Sequence, residues 1–189
     1  MIELIYPHEP APLEKGSHST RASEMLPIVL PNGEVVAQAS RSWCHGNTRP
    51  LHPVVHLHII NRDGCIYLQK RAATKKLLPN RWDTAVGGHV SYGEYIQEAL
   101  FREADEELSF HDFHPVLIDT YINETDLERE LAFVFATVGN FELTPDNYEV
   151  SAGSYWSVGE IESSLGRGVF TPVFEAEYAR YKDILQSLL

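Results

Sequence analysis

The chain has 189 residues, with 27 Asp and Glu against 15 Lys and Arg, for a formal net charge of −12. A composition 43% hydrophobic and 11% aromatic is that of a folded globular chain, not a disordered acidic tail. The excess of carboxylates opposes binding to duplex nucleic acid, whose phosphates carry the same sign. Two cysteines make no disulfide framework, no apolar run approaches the roughly 20 residues of a membrane span, and no basic start precedes an apolar stretch at the N-terminus. These features predict a cytoplasmic protein with no membrane or nucleic-acid partner.

Residues 1–25 read as an N-terminal extension, because three prolines with Ser, Thr and Gly between positions 7 and 24 suit a tether. Leu26–Leu30 and Val35–Ala39 flank Pro31-Asn32-Gly33-Glu34, whose Asn-Gly pair takes the positive φ of a tight hairpin turn. A second hairpin joins His52–Asn61 to Cys65–Arg71 across Arg62-Asp63-Gly64. On its first strand His56 and His58 share a face, which places them in a cleft or at the surface. Gly93–Leu108 predicts a helix, with Ile96, Ala99, Leu100, Ala104 and Leu108 at three- and four-residue intervals. Val116–Ile122 and Leu131–Val138 predict further strands, and Ser157–Leu165 and Pro172–Leu189 predict closing helices. The order predicts a single α+β domain over 26–189, an α/β/α sandwich around a mixed sheet. Val173, Phe174, Tyr178, Tyr181, Ile184, Leu185 and Leu188 on the last helix suit either core or a homodimer interface.

The helix over 93–108 is too acidic on its inner side. With Ile96 at zero and about 100° per residue, the apolar residues centre near 0–80°. Glu103 falls near 340°, Glu107 near 20° and Glu106 near 280° by the same period. Carboxylates crowded on an inward stripe repel one another and lose hydration, and a hard divalent cation such as Mg²⁺ or Mn²⁺ offsets both penalties.

Written out, the segment is Gly88-x5-Glu94-x7-Arg102-Glu103-Ala104-x-Glu106-Glu107-x-Ser109-Phe110. It resembles the Nudix box, G-x5-E-x7-R-E-U-x-E-E-x-G-U with U apolar, and departs from it only at Ser109, which replaces a glycine. The resemblance implies a Nudix fold and metal-dependent hydrolysis of a diphosphate linkage. It implies that Glu103, Glu106 and Glu107 hold Mg²⁺ or Mn²⁺, that Arg102 orients them, and that Glu94, in the loop before the helix, is a further metal ligand. The proton of the attacking water falls to Glu103, Glu106, Glu128 or Glu130, since the base varies across the family.

The resemblance extends to the type I isopentenyl-diphosphate isomerases of the same superfamily. Their metal-cage histidines match His45, His52 and His89, and their Glu-x-Glu pair matches Glu128 and Glu130. Their diphosphate-holding segment matches Arg71-Ala72-Ala73-Thr74-Lys75-Lys76, so Arg71, Lys75 and the box glycine Gly88 become expected substrate contacts. Residues 62–81 hold six Lys and Arg and one acid, a local reversal of the chain's charge. The isomerases' catalytic cysteine, however, falls at Gly87, which has no group to move a proton; Cys44 is expected to be a small buried residue instead. The expected activity is therefore hydrolysis of a small, nucleotide-linked diphosphate. The alternatives are an isomerase with an altered acid and a silent Nudix ligand sensor.

Overall fold

A computed structural model describes residues 3–8, 24–46 and 48–189. Most of the expected tether, residues 9–23, lies outside the described residues. Among the described residues the elements are, in order, β1 (Met25–Val29), β2 (Val35–Ser40), α1 (Arg41–Cys44), β3 (His52–Ile60), β4 (Ile66–Arg71), β5 (Trp82–Thr84), β6 (Val86–His89), α2 (Ile96–Leu108), β7 (Val116–Glu124), β8 (Arg129–Val138), β9 (Val150–Trp156), α3 (Val158–Ser164) and α4 (Pro172–Ser187). β1 and β2 form a two-stranded sheet of their own. A mixed seven-stranded sheet runs β5-β4-β3-β8-β7, with β6 also paired to β3 and β9 to β4. The fold class is α+β, as the element order predicts.

The chain clusters into two compact units. The first comprises Met1–Val55, Gly88–Leu100 and Asp119–Val134. In it the β1–β2 hairpin closes through Gly33 at φ 85°, while the Asn32 side chain accepts from the Glu34 N–H. Leu26, Val29 and Val35 turn inward and are buried, as is Cys44. Ile5 bridges to Glu34, and the Tyr6 hydroxyl accepts from the Gly93 N–H at 2.9 Å.

The second unit comprises His56–Gly87, Phe101–Ile118 and Phe135–Leu189. β3 meets β4 antiparallel, with Ile59 opposite Tyr67, after a turn in which Gly64 takes φ 80°. β4 pairs on with β5 and β9, setting Leu68 against Thr84 and against Ser154. α3 starts at a capping box in which Ser157 and Glu160 satisfy each other's backbone N–H. α4 starts at Thr171, whose hydroxyl accepts from the Phe174 N–H, with Pro172 in the first turn. Phe174, Tyr178, Tyr181 and Leu185 are buried within the chain, while Ile184 is exposed.

Two expectations are corrected. The acidic helix begins at Ile96, not Gly93. Gly93 sits at φ 89°, outside helical space, and the Tyr95 carbonyl accepts the first helical bond, from Ala99. The Glu98 carboxylate returns to the Tyr95 N–H at 3.0 Å, closing one half of a capping box. His58 belongs to neither cleft nor surface: β3 is buried on both faces, as a central strand is, and His58 lies inside.

Candidate functional site

In the second unit, α2 turns Glu103 and Glu107 to its buried side and leaves Glu106 exposed. Glu107 receives two neutral donors on one oxygen, Gln69 Nε2 at 3.2 Å and the Gly87 N–H at 3.2 Å. Burial, then the charge of Glu103, push the Glu107 carboxyl up to about 8 against the pull of the Gly87 N–H. Arg102 Nη1 lies 2.8 Å from Glu103 Oε1 and 3.5 Å from Glu106 Oε2, so one guanidinium ties the two carboxylates together. Hard oxygen donors of this kind fit Mg²⁺ or Mn²⁺, which would relieve the repulsion between buried Glu103 and Glu107.

The first unit holds a histidine cluster. His45, His52 and His89 carry donor atoms within 4.8 Å of one another, the converging trio of metal-type side chains among the described residues. His45 Nε2 and His89 Nε2 are 3.0 Å apart, and the His52 ring stacks on His89 with centroids 5.3 Å apart. His52 Nδ1 donates to the Pro50 carbonyl at 2.9 Å, which leaves the lone pair on Nε2; that buried atom has no partner. Burial above all holds His52 below the usual imidazole range, keeping it neutral and able to ligate. His45 Nδ1 donates to Glu128 Oε1 at 2.9 Å, and this bond, outweighing burial, lowers the Glu128 carboxyl. A carboxylate behind a histidine is the arrangement that orients an imidazole toward a metal. Glu128 is therefore placed behind a donor, and Glu130 accepts from Asn123 Nδ2 at 2.9 Å. An orphaned buried nitrogen facing two further imidazoles fits a divalent transition ion.

The remaining expected residues have these positions. Glu94 is buried and its Oε2 accepts from the Ser91 N–H at 3.0 Å, closing the turn before α2. Arg71 meets Asp83 Oδ2 at 3.2 Å and donates to the Leu77 carbonyl, and Lys75 pairs with buried Glu149. Both cations are thus held by acids of the second unit. Gly88 lies in β6. Burial pushes the Cys44 thiol up to about 11, so it stays protonated. Gln69, the Gly87 N–H and Asn123 escaped the sequence reading, because only strand pairing brings them to the carboxylates.

A family model described as the NUDIX domain matches residues 50–173. The chain is 29% identical over 163 residues to an uncharacterized Nudix hydrolase of Streptomyces coelicolor, covering 85% of this chain and 90% of that protein. It is 27% identical over 151 residues to an isopentenyl-diphosphate Delta-isomerase of Brevibacterium linens, covering 75% and 81%. Among solved structures, a Deinococcus radiodurans protein superposes with a TM-score of 0.72 at 24% identity, over 83% of this chain and 98% of that one, a likeness of fold.

Proposed function

The chain belongs to the NUDIX family, and from that premise we propose that it hydrolyses the diphosphate linkage of a small, nucleotide-linked molecule with the help of Mg²⁺ or Mn²⁺. The observation that carries this reading is the buried pair Glu103 and Glu107 on α2. When bound at these carboxylates, the cation neutralises the diphosphate, polarises phosphorus and acidifies a water. Gln69 and the Gly87 N–H aim Glu107, and Arg102 aims Glu103 and Glu106. With Glu107 held by Gln69 and the Gly87 N–H, Glu103 and Glu106 are the carboxylates left to take the proton of the attacking water. Arg71 and Lys75 bind phosphate oxygens by exchanging Asp83 and Glu149 for substrate.

A second reading rests on the histidine cluster, which matches the metal cage of the isomerases in residue type and spacing. It makes the protein an isopentenyl-diphosphate isomerase whose acid is not a cysteine at position 87. One experiment separates the two: hydrolysis of nucleoside di- and triphosphates, dinucleotides and sugar nucleotides, read by chromatography of the phosphorylated products and run with Mg²⁺ and Mn²⁺, beside an isomerisation assay. Turnover in the first that falls at least about 100-fold in Glu103→Gln supports hydrolysis. Isomerisation alone overturns it.

A further inference from the structure

A third cluster of titratable groups lies in the second unit, on β3, β5 and α4, and neither reading above uses it. Glu177 of α4 is 1% exposed, and its carboxylate is surrounded by side chains far away in sequence. His56 Nδ1 donates to Oε1 at 2.6 Å, His58 Nε2 donates to Oε2 at 3.0 Å, and Thr84 Oγ1 reaches Oε2 at 3.4 Å. Burial alone would raise the Glu177 carboxyl, yet the charge and hydrogen bond of His56, then the hydrogen bond of His58, hold it well below the usual carboxylate range. A buried carboxylate needs a matching charge close by.

Geometry decides which imidazole carries it. His58 is sealed in the interior with the Tyr181 ring across it, and its Nδ1 is buried with no partner. A proton on that nitrogen would be a buried donor without an acceptor, so His58 is the neutral, Nε2-protonated tautomer. The charge that offsets Glu177 therefore sits on His56, whose side chain is 12% exposed. With Nδ1 held by Glu177, Nε2 is the second N–H of this imidazolium.

His56 also borders the carboxylate site. A Cβ built on Gly87 would stand 3.6 Å from His56 Cδ2, the ring carbon bonded to Nε2. The N–H of the same Gly87 is one of the two donors that hold Glu107. Gly87 is thus a shared wall, with Glu107 on its amide and the imidazolium edge against its bare Cα.

We propose that His56 is a substrate-contacting residue, donating from Nε2 to a phosphate oxygen of a diphosphate bound at Glu103 and Glu107, and that Glu177 and His58 are its positioning residues. This rests on the hydrolase reading of that carboxylate site. It also gives Gly87 a reason: a cationic donor stands beside the place where the isomerases carry a thiol.

The test measures binding of methylenediphosphonate, a non-hydrolysable diphosphate, in the presence of Mg²⁺ by calorimetry. His56→Ala leaves Glu177 charged and alone in the interior, so the double variant His56→Gln/Glu177→Gln, which removes both charges together, is measured beside it. The double variant is expected to stay folded and bind about 10- to 100-fold more weakly, the worth of a charge-assisted hydrogen bond. In the unmodified protein with ¹⁵N-labelled histidine, one imidazole should have both nitrogens protonated, and one of its nitrogen signals should move when Mg²⁺ and methylenediphosphonate are added. A structural role alone would leave that signal in place. No binding by the unmodified protein overturns the hydrolase reading and this inference with it. Binding that survives undiminished in the folded double variant, or no doubly protonated imidazole that responds to the probe, overturns this inference alone.

Discussion

Ser109 stands where the box motif has its second glycine, and its backbone takes φ 51°. That conformation lets the chain leave α2, with the Ser109 N–H on the Asp105 carbonyl and the Phe110 N–H on the Ala104 carbonyl. An L side chain in the left-handed region is strained by roughly 1–2 kcal/mol, part of which glycine returns to the unfolded chain as entropy. Ser109→Gly should therefore stabilise the protein by about 0.5–1 kcal/mol, read as a higher urea midpoint at unchanged slope. An unchanged or lower midpoint would mean that the serine side chain contributes something the backbone argument omits. The substitution should leave any metal effect intact, since the bond that Ser109 makes at the helix end comes from its backbone N–H, which glycine keeps.

Elements differ in how plainly they could be read from sequence. The hairpins were legible because each turn needs a residue at positive φ and a glycine marks it, Gly33 in one and Gly64 in the other. α2 was legible through its period, although its start was not, because Glu98 caps Tyr95 by a side-chain bond that composition does not announce. The box carboxylates and the three histidines were visible as motifs, whereas Glu177 was not: it meets His56 from 121 positions away through the packing of α4. β5, β6 and β9 carry no readable alternation. β9 reads Val-Ser-Ala-Gly-Ser-Tyr-Trp, and it holds its place through partners on β4. Gly153 is the clearest instance, since an added Cβ would fall 1.7 Å from the Tyr67 hydroxyl oxygen and 2.3 Å from the ring carbon bearing it. Tyr67 is buried and packed edge-on to Tyr155, so the ring has little room to turn aside. Gly153→Ala should cost about 1–3 kcal/mol, the usual penalty for overpacking, measured by chemical denaturation. A variant as stable as the parent would show that the Tyr67 ring on β4 can move away from Gly153 freely.

Across the whole molecule the net charge of −12 is unevenly spread. Residues 94–130 contain twelve Asp and Glu and two Arg, so 2 − 12 = −10 of it falls in 37 positions. This stretch includes Glu103 and Glu107, and the stability of the protein should report their state. With the metal chelated, Glu107 in the folded protein keeps its proton up to about pH 8, while in the unfolded chain it loses it near the usual carboxylate value of about 4.3. The folded state therefore binds more protons between those two values. The stabilisation is complete below about pH 4.3 and is lost as pH rises toward 8, on the order of a few kcal/mol in all. In EDTA, the melting temperature should accordingly fall between pH 5 and pH 8 through this group, and Glu107→Gln should flatten the fall. Mg²⁺ or Mn²⁺ binds the ionised carboxylates, so at pH 8 its addition should raise the melting temperature, by about 2.7 kcal/mol of stability at a hundredfold excess over the dissociation constant. Glu103→Gln should blunt that rise. Should divalent ions leave the melting curve of the parent unmoved at pH 8, the acidic side of α2 holds no cation, and the hydrolase reading loses the observation on which it stands.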